Sequence, residues 1–509
     1  MEESQQPVFA LLADPATHGG AQVRRIDTHA ASVFLAGDRA LKVKRAVRFP
    51  FLDYSTLEKR KAACEAELEV NRGFAPQIYL GILPITREAD GRLVLHGNGE
   101  AIEWAVEMRR FDEETTLDRL AETGSIDAAL ADRLGRMVAA AHAAAPAVAA
   151  EPWLDALATF LDQNQSAFRA LPDLFPRDDA EALDHRSRAA LARVRPLLAT
   201  RGRLGLIRRG HGDLHLGNIA MIDGRPVLFD AIEFDPLIAA GDVLYDLAFL
   251  VMDLIERDLT PAANIVLNRY LAETRRAGDL DALAALPLFL SLRAAIRAKV
   301  TAARLDGVED AARTAIARTA RTYFALARRL IEPPPPVLVA VGGLSGTGKS
   351  VLARALAPHV APDPGAVVVR SDVERKALFQ VGETDRLPPD AYGPDVTARV
   401  YSVLADKARR VIAAGHSAVI DAVFARAEER DGIAALARER KVGFRGLFLT
   451  ADLATRVARV GARERDASDA DVKVAHMQEQ YDIGAIDWTR VDASVTPEET
   501  LERAKAQLT

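Results

Sequence analysis

HGDLHLGNI at 211–219, followed by FDAIEFD at 229–235, is the stretch on which the reading of this chain turns. Asp213 and Asn218 stand five residues apart, and Asp230 closes the strand-like run VLFD. Transfer of a phosphoryl group needs a carboxylate beside the attacking hydroxyl and hard oxygen donors for a magnesium ion that bridges phosphate oxygens. This spacing offers both, with Asp213 as the base and Asn218 and Asp230 as metal ligands. The same chemistry needs a strand lysine for the α and β phosphates and a helix glutamate to fix that lysine. ALKVKR supplies Lys42 and Lys44 on one strand face, and CEAELE supplies Glu65 and Glu67 on different helix faces. Glu65 borders the Cys64/Leu68 stripe, so the expected pair is Lys42 with Glu65. EWAVEMRRF reads as a further strand, with Glu107, Met108 and Arg109 expected where backbone groups meet adenine. Asp242 and Asp246, in GDVLYDLA, read as helix-capping or structural residues.

Around this stretch the chain divides by pattern. From about residue 20 to 110 it reads as short strands and turns around one helix. ASVFLAGDRALKVKR forms a hairpin turning at Gly37 and Asp38, and the helix that follows is capped by Ser55. Residues 111–331 are mostly helical. Pro333 to Pro336 cannot continue the helix that ends in ALARRLIE, so 332–336 is expected to be a stiff connector between a first domain, 1–331, and a second, 337–509.

Beyond the prolines, apolar runs VLVAVGG, AVVVRSD, SAVIDAV, FRGLFLTA and, more weakly, DWTRVDAS alternate with helical segments, which is the pattern of a doubly wound α/β domain with a parallel sheet. The first run leads into GLSGTGKS, a full G-x-x-x-x-G-K-[ST] motif placed between a strand and a helix. Gly343, Leu344, Ser345, Gly346, Thr347 and Gly348 wrap phosphates with backbone N–H groups, Lys349 reaches the β and γ phosphates, Ser350 contributes its hydroxyl to magnesium, and Val351 continues into the helix. The next strand ends in RSD, which makes Asp372 the candidate base, and the third ends at Asp421, a candidate metal or substrate ligand. Arg459, Arg463 and Arg465 precede the acidic DASDA segment and are expected to close over the transferring phosphate as a lid.

Bulk properties narrow the class. A chain of 509 residues is too long for one ordinary core. The net charge of −6, with neither half strongly basic, disfavours nucleic acid as a partner without excluding it. No apolar run approaches the roughly 18 residues of a membrane span, and the acidic, polar N-terminus does not read as a signal peptide. The single cysteine, Cys64, fits a reducing compartment, so a cytoplasmic protein is expected.

Over HGDLHLGN, FDAIEFD and GDVLYDLAFL, residues from about 20 to 330 resemble the aminoglycoside phosphotransferase family, a branch of the protein-kinase-like fold. The resemblance implies a two-lobed domain with Asp213 as catalytic aspartate, Asn218 and Asp230 as metal ligands and His211 as a structural member of the loop. Leu216 stands where that family more often has proline. Over GLSGTGKS and RSDVERK, residues 337–509 resemble small P-loop kinases of the zeta-toxin, gluconate-kinase and polynucleotide-kinase type, with an AAA-like ATPase description. Together they imply ATP and Mg2+ as cofactors and a bifunctional phosphotransferase acting on hydroxyl groups of small molecules. The order of the halves resembles a group of bacterial fusion proteins. Two alternatives stay open: 5'-hydroxyl phosphorylation of polynucleotides by the second half, and a module in which one half senses ATP while the other catalyses.

Overall fold

Alternation along Leu41, Lys42, Val43 and Lys44 sorts the first sheet into an apolar and a charged face. A computed structural model describes residues 5–49, 52–305, 309–462 and 466–508. By packing, the chain forms two compact units. One comprises Met1–Asp127, Ala140–Ala156 and Ala199–Asp253, and the other Ala128–Ala139, Leu157–Leu198 and Leu254–Thr509. No described helix is long and apolar enough to cross a membrane.

The first unit opens with α1 (Gln6–Ala13), β1 (Val23–Asp27), β2 (Ala31–Ala36) and β3 (Arg39–Lys44). A short pair, β4 (Arg48–Phe49) and β5 (Leu52–Asp53), leads into α2 (Leu57–Arg72), then β6 (Tyr79–Arg87), β7 (Leu93–Leu95) and β8 (Glu100–Arg109). The main sheet is antiparallel in the order β1-β2-β3-β8-β6-β7. Ala36 faces Arg39 across the two-residue turn Gly37–Asp38, where Gly37 has φ 58°, the left-handed conformation that such hairpin turns require. On one face, Phe34, Leu41, Val43 and Leu83 pack against Val8, Phe9 and Leu12 of α1. On the other, Tyr79 and Val106 pack with Cys64 of α2. Thr56 caps α2, its hydroxyl accepting the Lys59 N–H at 3.3 Å. Ser55, expected there, binds Asp53 instead.

After α3 (Leu117–Glu122), α4 (Ala128–Ala144), α5 (Ala150–Ala170) and α6 (Arg177–Arg203), short strands carry the loops of interest: β9 (Ile207–Arg209), β10 (Ile219–Ile222) and β11 (Arg225–Leu228). Then come α7 (Pro236–Ala239), β12 (Ala240–Asp242) and the buried helix α8 (Val243–Glu256). The β10–β11 hairpin pairs Ile219 with Leu228, and the Phe229 N–H donates to Asn218 O at 3.0 Å, which sets Asn218 beside the start of FDAIEFD.

The second unit holds α9 (Thr260–Thr274), α10 (Ala277–Asp281), α11 (Leu286–Ala302) and α12 (Asp310–Ile331), which precede the proline run and yet group with the residues after it. Next follow β13 (Val337–Gly343), α13 (Lys349–Leu356), β14 (Val367–Arg370), α14 (Ser371–Leu378), α15 (Pro394–Ala413), β15 (Ala418–Asp421), α16 (Ala427–Arg440) and β16 (Gly443–Thr450). The remaining elements are α17 (Leu453–Gly461), α18 (Val472–Gln478), β17 (Thr489–Asp492) and α19 (Pro497–Lys505). All five strands expected from the sequence form one parallel sheet, ordered β14-β15-β13-β16-β17. Val339, Val341, Leu447 and Leu449 meet Leu352 and Leu356 of α13 in its core. The edge strand β14 is covered by α9. Asn268 donates to Ala366 O at 3.1 Å and accepts the Val368 N–H at 2.7 Å, and Asn264 donates to Ala366 O at 3.0 Å. Two asparagines thus satisfy backbone groups that another strand would otherwise pair.

Candidate functional sites: two phosphate-handling centres

In the first unit, Lys42 Nζ lies 2.8 Å from Glu67 Oε1 and 2.7 Å from Asp230 Oδ1. The glutamate that fixes Lys42 is therefore Glu67, and the expectation for Glu65 is corrected: its side chain is half exposed, 3.7 Å from Lys61. The reason is the composition of the buried stripe of α2. It runs through Arg60, Cys64, Glu67 and Asn71, a helical face of mostly polar residues that an apolar pattern does not reveal. Each of its three polar residues has a partner: Arg60 on Glu103 at 2.9 Å, Glu67 on the lysines, and Asn71 on both backbone groups of Ala231, at 2.8 and 3.2 Å. Burial opposes the charge on Lys42, but Asp230 and then Glu67 outweigh it and hold the ammonium well above the usual lysine range.

The catalytic-type loop is built on backbone bonds from α8. Asp246 accepts the N–H groups of His211 and Gly212, each at 2.9 Å, and Asp253 accepts that of Leu216 at 2.9 Å. Asp242 is sealed in a pair with Arg201 at 2.6 Å. Gly212 has φ 80°, and a Cβ there would stand 3.0 Å from Ala239 Cα, so glycine alone fits. His211 Nε2 meets Phe229 O at 2.9 Å, and burial lowers its pKa, leaving a neutral imidazole that ties the two loops together. Asn218 Nδ2 donates to Asp213 O at 2.9 Å and to Asp213 Oδ2 at 3.1 Å, so the pair expected from spacing is in contact. Asp230 has φ 59°, a conformation uncommon for a side-chain-bearing residue, and the Tyr79 hydroxyl accepts its N–H at 3.0 Å. Glu107, Met108 and Arg109 end β8 between β3 and β6. Arg109 is not available as an adenine-facing donor, because its N–H is given to Ile78 O at 2.8 Å, and Glu107 pairs with Arg39.

In the second unit, Ser345 to Leu352 line a cavity of about 1050 Å³, with Gly343 and Leu344 shaping the turn behind them. Gly343, Gly346 and Gly348 all have positive φ, and a Cβ on Gly346 would fall 2.5 Å from Arg456 O. Lys349 Nζ donates to Leu344 O at 3.1 Å. Val351 is half exposed on the first turn of α13. Ser371 and Asp372 open α14, with Arg370 as its cap, and both face the cavity. Burial, then Asp421, raises the Asp372 carboxyl above its ordinary value, while Lys349 pulls the other way. Asp421 also lines the cavity, but it is buried and pairs with Arg370 at 3.2 Å. Arg459 reaches the same cavity from α17 and donates to Val495 O at 3.0 Å. Arg463 and Arg465 lie outside the described residues.

Sequence reasoning missed the side chains that shape this centre. Arg456 Nε donates to Ser345 O at 2.9 Å, and Gln478 Oε1 accepts the Ser345 N–H at 2.6 Å, so two buried residues clasp the phosphate loop from α17 and α18. Asp469 accepts from Lys376 at 3.1 Å, from the Leu387 N–H at 3.0 Å and from the Tyr392 hydroxyl at 2.5 Å. Arg456 and Gln478 lie in no motif, whereas Asp469 belongs to the DASDA segment and Lys376 to RSDVERK. Of the first two, Arg456 carries the one pattern signal available, a place one helical turn before Arg459.

The donor sets suit magnesium held jointly with a nucleotide. Among the described residues no cluster of three or more His, Cys, Asp or Glu could hold a metal by itself. Asn218 and Asp230 in the first unit, and Ser350 in the second, offer hard oxygens that phosphate oxygens and water would supplement, while Asp421 is held by Arg370.

Known proteins resemble both halves of the chain. A family model described as an AAA domain matches residues 338–482. An uncharacterized protein of Mycobacterium tuberculosis is 30% identical over 459 residues, 88% of each chain, and one of Mycobacterium bovis matches equally. Among solved structures, a choline/ethanolamine kinase family protein from Mesorhizobium loti is 16% identical with a TM-score of 0.39, covering 65% of this chain and 95% of its own. A gluconokinase from Sinorhizobium meliloti is 19% identical with a TM-score of 0.26, covering 34% and 91%. Residues 31–286, which hold the Lys42, Asp213, Asn218 and Asp230 constellation, match the model described as the phosphotransferase enzyme family, and the chain belongs to that family.

Proposed function

We propose that the chain is a bifunctional ATP- and Mg2+-dependent phosphotransferase with two separate centres, each acting on a hydroxyl group of a small molecule. The observation that carries this is the joint presence of a Lys42–Glu67 pair with Asp213 touching Asn218, and of an intact phosphate loop whose cavity holds Asp372. The halves 1–331 and 337–509, joined by 332–336, are proposed as the catalytic domains, in keeping with the family matches at 31–286 and 338–482.

In the first centre Lys42 releases Asp230 to hold phosphate oxygens, and Asp213 takes the proton of the acceptor hydroxyl. The acceptor oxygen bonds to the γ-phosphorus, the bond to the β–γ bridging oxygen breaks, and ADP leaves. In the second centre Lys349 and the loop amides hold the phosphates, Asp372 takes the proton, and Arg459 supplies charge beside the phosphate loop. Magnesium, when bound with ATP, supplies positive charge across the phosphate oxygens.

Wild type, Asp213→Asn and Lys349→Ala, compared for ATP turnover over sugars, aminoglycosides, nucleosides and 5'-hydroxyl oligonucleotides, test the reading. Each substitution is expected to abolish activity on a different acceptor. Loss of all turnover by Lys349→Ala alone would overturn the first centre as an enzyme and leave it an ATP sensor.

A further inference from the structure

Two lysines share one buried carboxylate in the first unit. Lys42 takes Glu67 Oε1 at 2.8 Å, and Lys44 takes Oε2 at 2.6 Å. Each then reaches a second carboxylate of FDAIEFD: Lys42 reaches Asp230 at 2.7 Å, and Lys44 reaches Glu233 at 2.5 Å. The two differ in access. The Lys42 side chain is 16% exposed and opens to the site, whereas that of Lys44 is 3% exposed, lies over the Tyr54 ring, and is sealed. Tyr54 in turn donates its hydroxyl proton to Glu233 at 3.2 Å.

The geometry points to Lys44 as a positioning residue that fixes the metal-ligating segment through Glu233 while keeping Glu67 neutralised when Lys42 moves to phosphate. This rests on the proposed nucleotide site of the first unit. Asp230 has a left-handed backbone, and its neighbours are pinned one by one: its own N–H by Tyr79, Ala231 by Asn71, and the Ile232 N–H by His211 O at 3.0 Å. Glu233 is the next anchor, and Lys44 ties it to the same strand that carries Lys42. The distance between the phosphate-holding ammonium and the metal-holding carboxylate is thereby set within one rigid frame. Glu67, with no exposed surface, would otherwise lose its compensation each time Lys42 changed partners.

The test uses the full-length chain carrying Lys349→Ala, which silences the phosphate loop, and a fluorescent ATP analogue titrated with and without MgCl2. Lys44→Met and Glu233→Gln are each expected to raise the Mg2+ concentration for half-maximal tight binding about tenfold or more; Glu233→Gln leaves metal-free affinity within about threefold, whereas Lys44→Met also lowers it, because Glu67 then holds Lys42 back from phosphate. The double variant is expected to be no worse than the worse single, and Lys44→Arg to retain most of the metal response. Lys42→Met is expected to weaken metal-free binding. A lower melting temperature for Lys44→Met with an unchanged Mg2+ requirement would overturn the proposal and leave the lysine merely structural. If that variant does not fold, Glu233→Gln decides by the same criterion. Absence of Mg2+-dependent nucleotide binding in the Lys349→Ala chain, or no effect of Lys42→Met, would overturn the nucleotide-site reading itself and the positioning role with it.

Discussion

Glu67 compensates two ammonium groups with one carboxylate and has no exposed surface. Replacing it by glutamine leaves buried positive charge short of its counter-ion, and such a loss costs about 3 kcal/mol or more. Glu65→Gln touches only an exposed helix pair with Lys61 and is expected to stay within about 0.5 kcal/mol. Urea denaturation of the two variants separates them directly. Asp372 provides a pH test. Its carboxyl is raised by burial and by Asp421, so the folded state keeps the proton to higher pH than the unfolded chain. The sign follows: its contribution to stability is present below the unfolded value and is lost as pH rises through the folded one. The proposed role as a base needs the ionised form, so turnover at the proposed second centre, measured in an Asp213→Asn background, is expected to rise with pH through a value above that of an ordinary carboxylate. Asp372→Asn removes both that rise and the pH-dependent stability change.

At the scale of elements, the same device recurs: a side chain from one helix occupies the backbone of a loop or strand on another element. Asn71 of α2 brackets Ala231, Asp246 of α8 takes two amides of the HGD loop, and Arg456 and Gln478 clasp Ser345. These bonds rigidify irregular backbone where regular pairing is impossible. Asn268 does this for a sheet edge. Asn268→Ala would leave the Val368 N–H without its acceptor, a loss of about 1–3 kcal/mol. Faster hydrogen exchange at that amide, relative to amides of β13, is the expected readout.

Across the whole molecule, the parts legible in the sequence were those where chemistry demands a fixed residue at a fixed spacing. HGDLHLGN brought Asp213 onto Asn218, GLSGTGKS formed the phosphate loop, and all five apolar runs after the prolines became strands of one parallel sheet. What stayed hidden were buried polar residues, because hydrophobic patterning treats an inward polar residue as an outward one. The apolar pattern favours Glu65 although Glu67 is the buried one, and no motif marks Arg456, which is 1% exposed. The cap of α2 is Thr56 in place of the expected Ser55, one residue away, because it is the Thr56 hydroxyl that accepts the Lys59 N–H. The grouping of residues 254–331 with those beyond the prolines was equally unreadable, since it rests on long-range packing, such as Asp281 paired with Arg410 and Asn264 bonded to Ala366 about a hundred residues later.

That last contact decides how the chain can be cut into fragments. A piece beginning at Val337 would keep the phosphate loop, the cavity and every strand of its sheet, and would lose the helix that covers the sheet edge. Stripped of α9, it would present Ala366 and Val368 as a vacant docking edge to any extended peptide, including the same edge of a second copy. A fragment of this half that begins at or before Thr260 is therefore expected to resist self-association better than one that begins at Val337, because it keeps the two amide side chains that cover this edge.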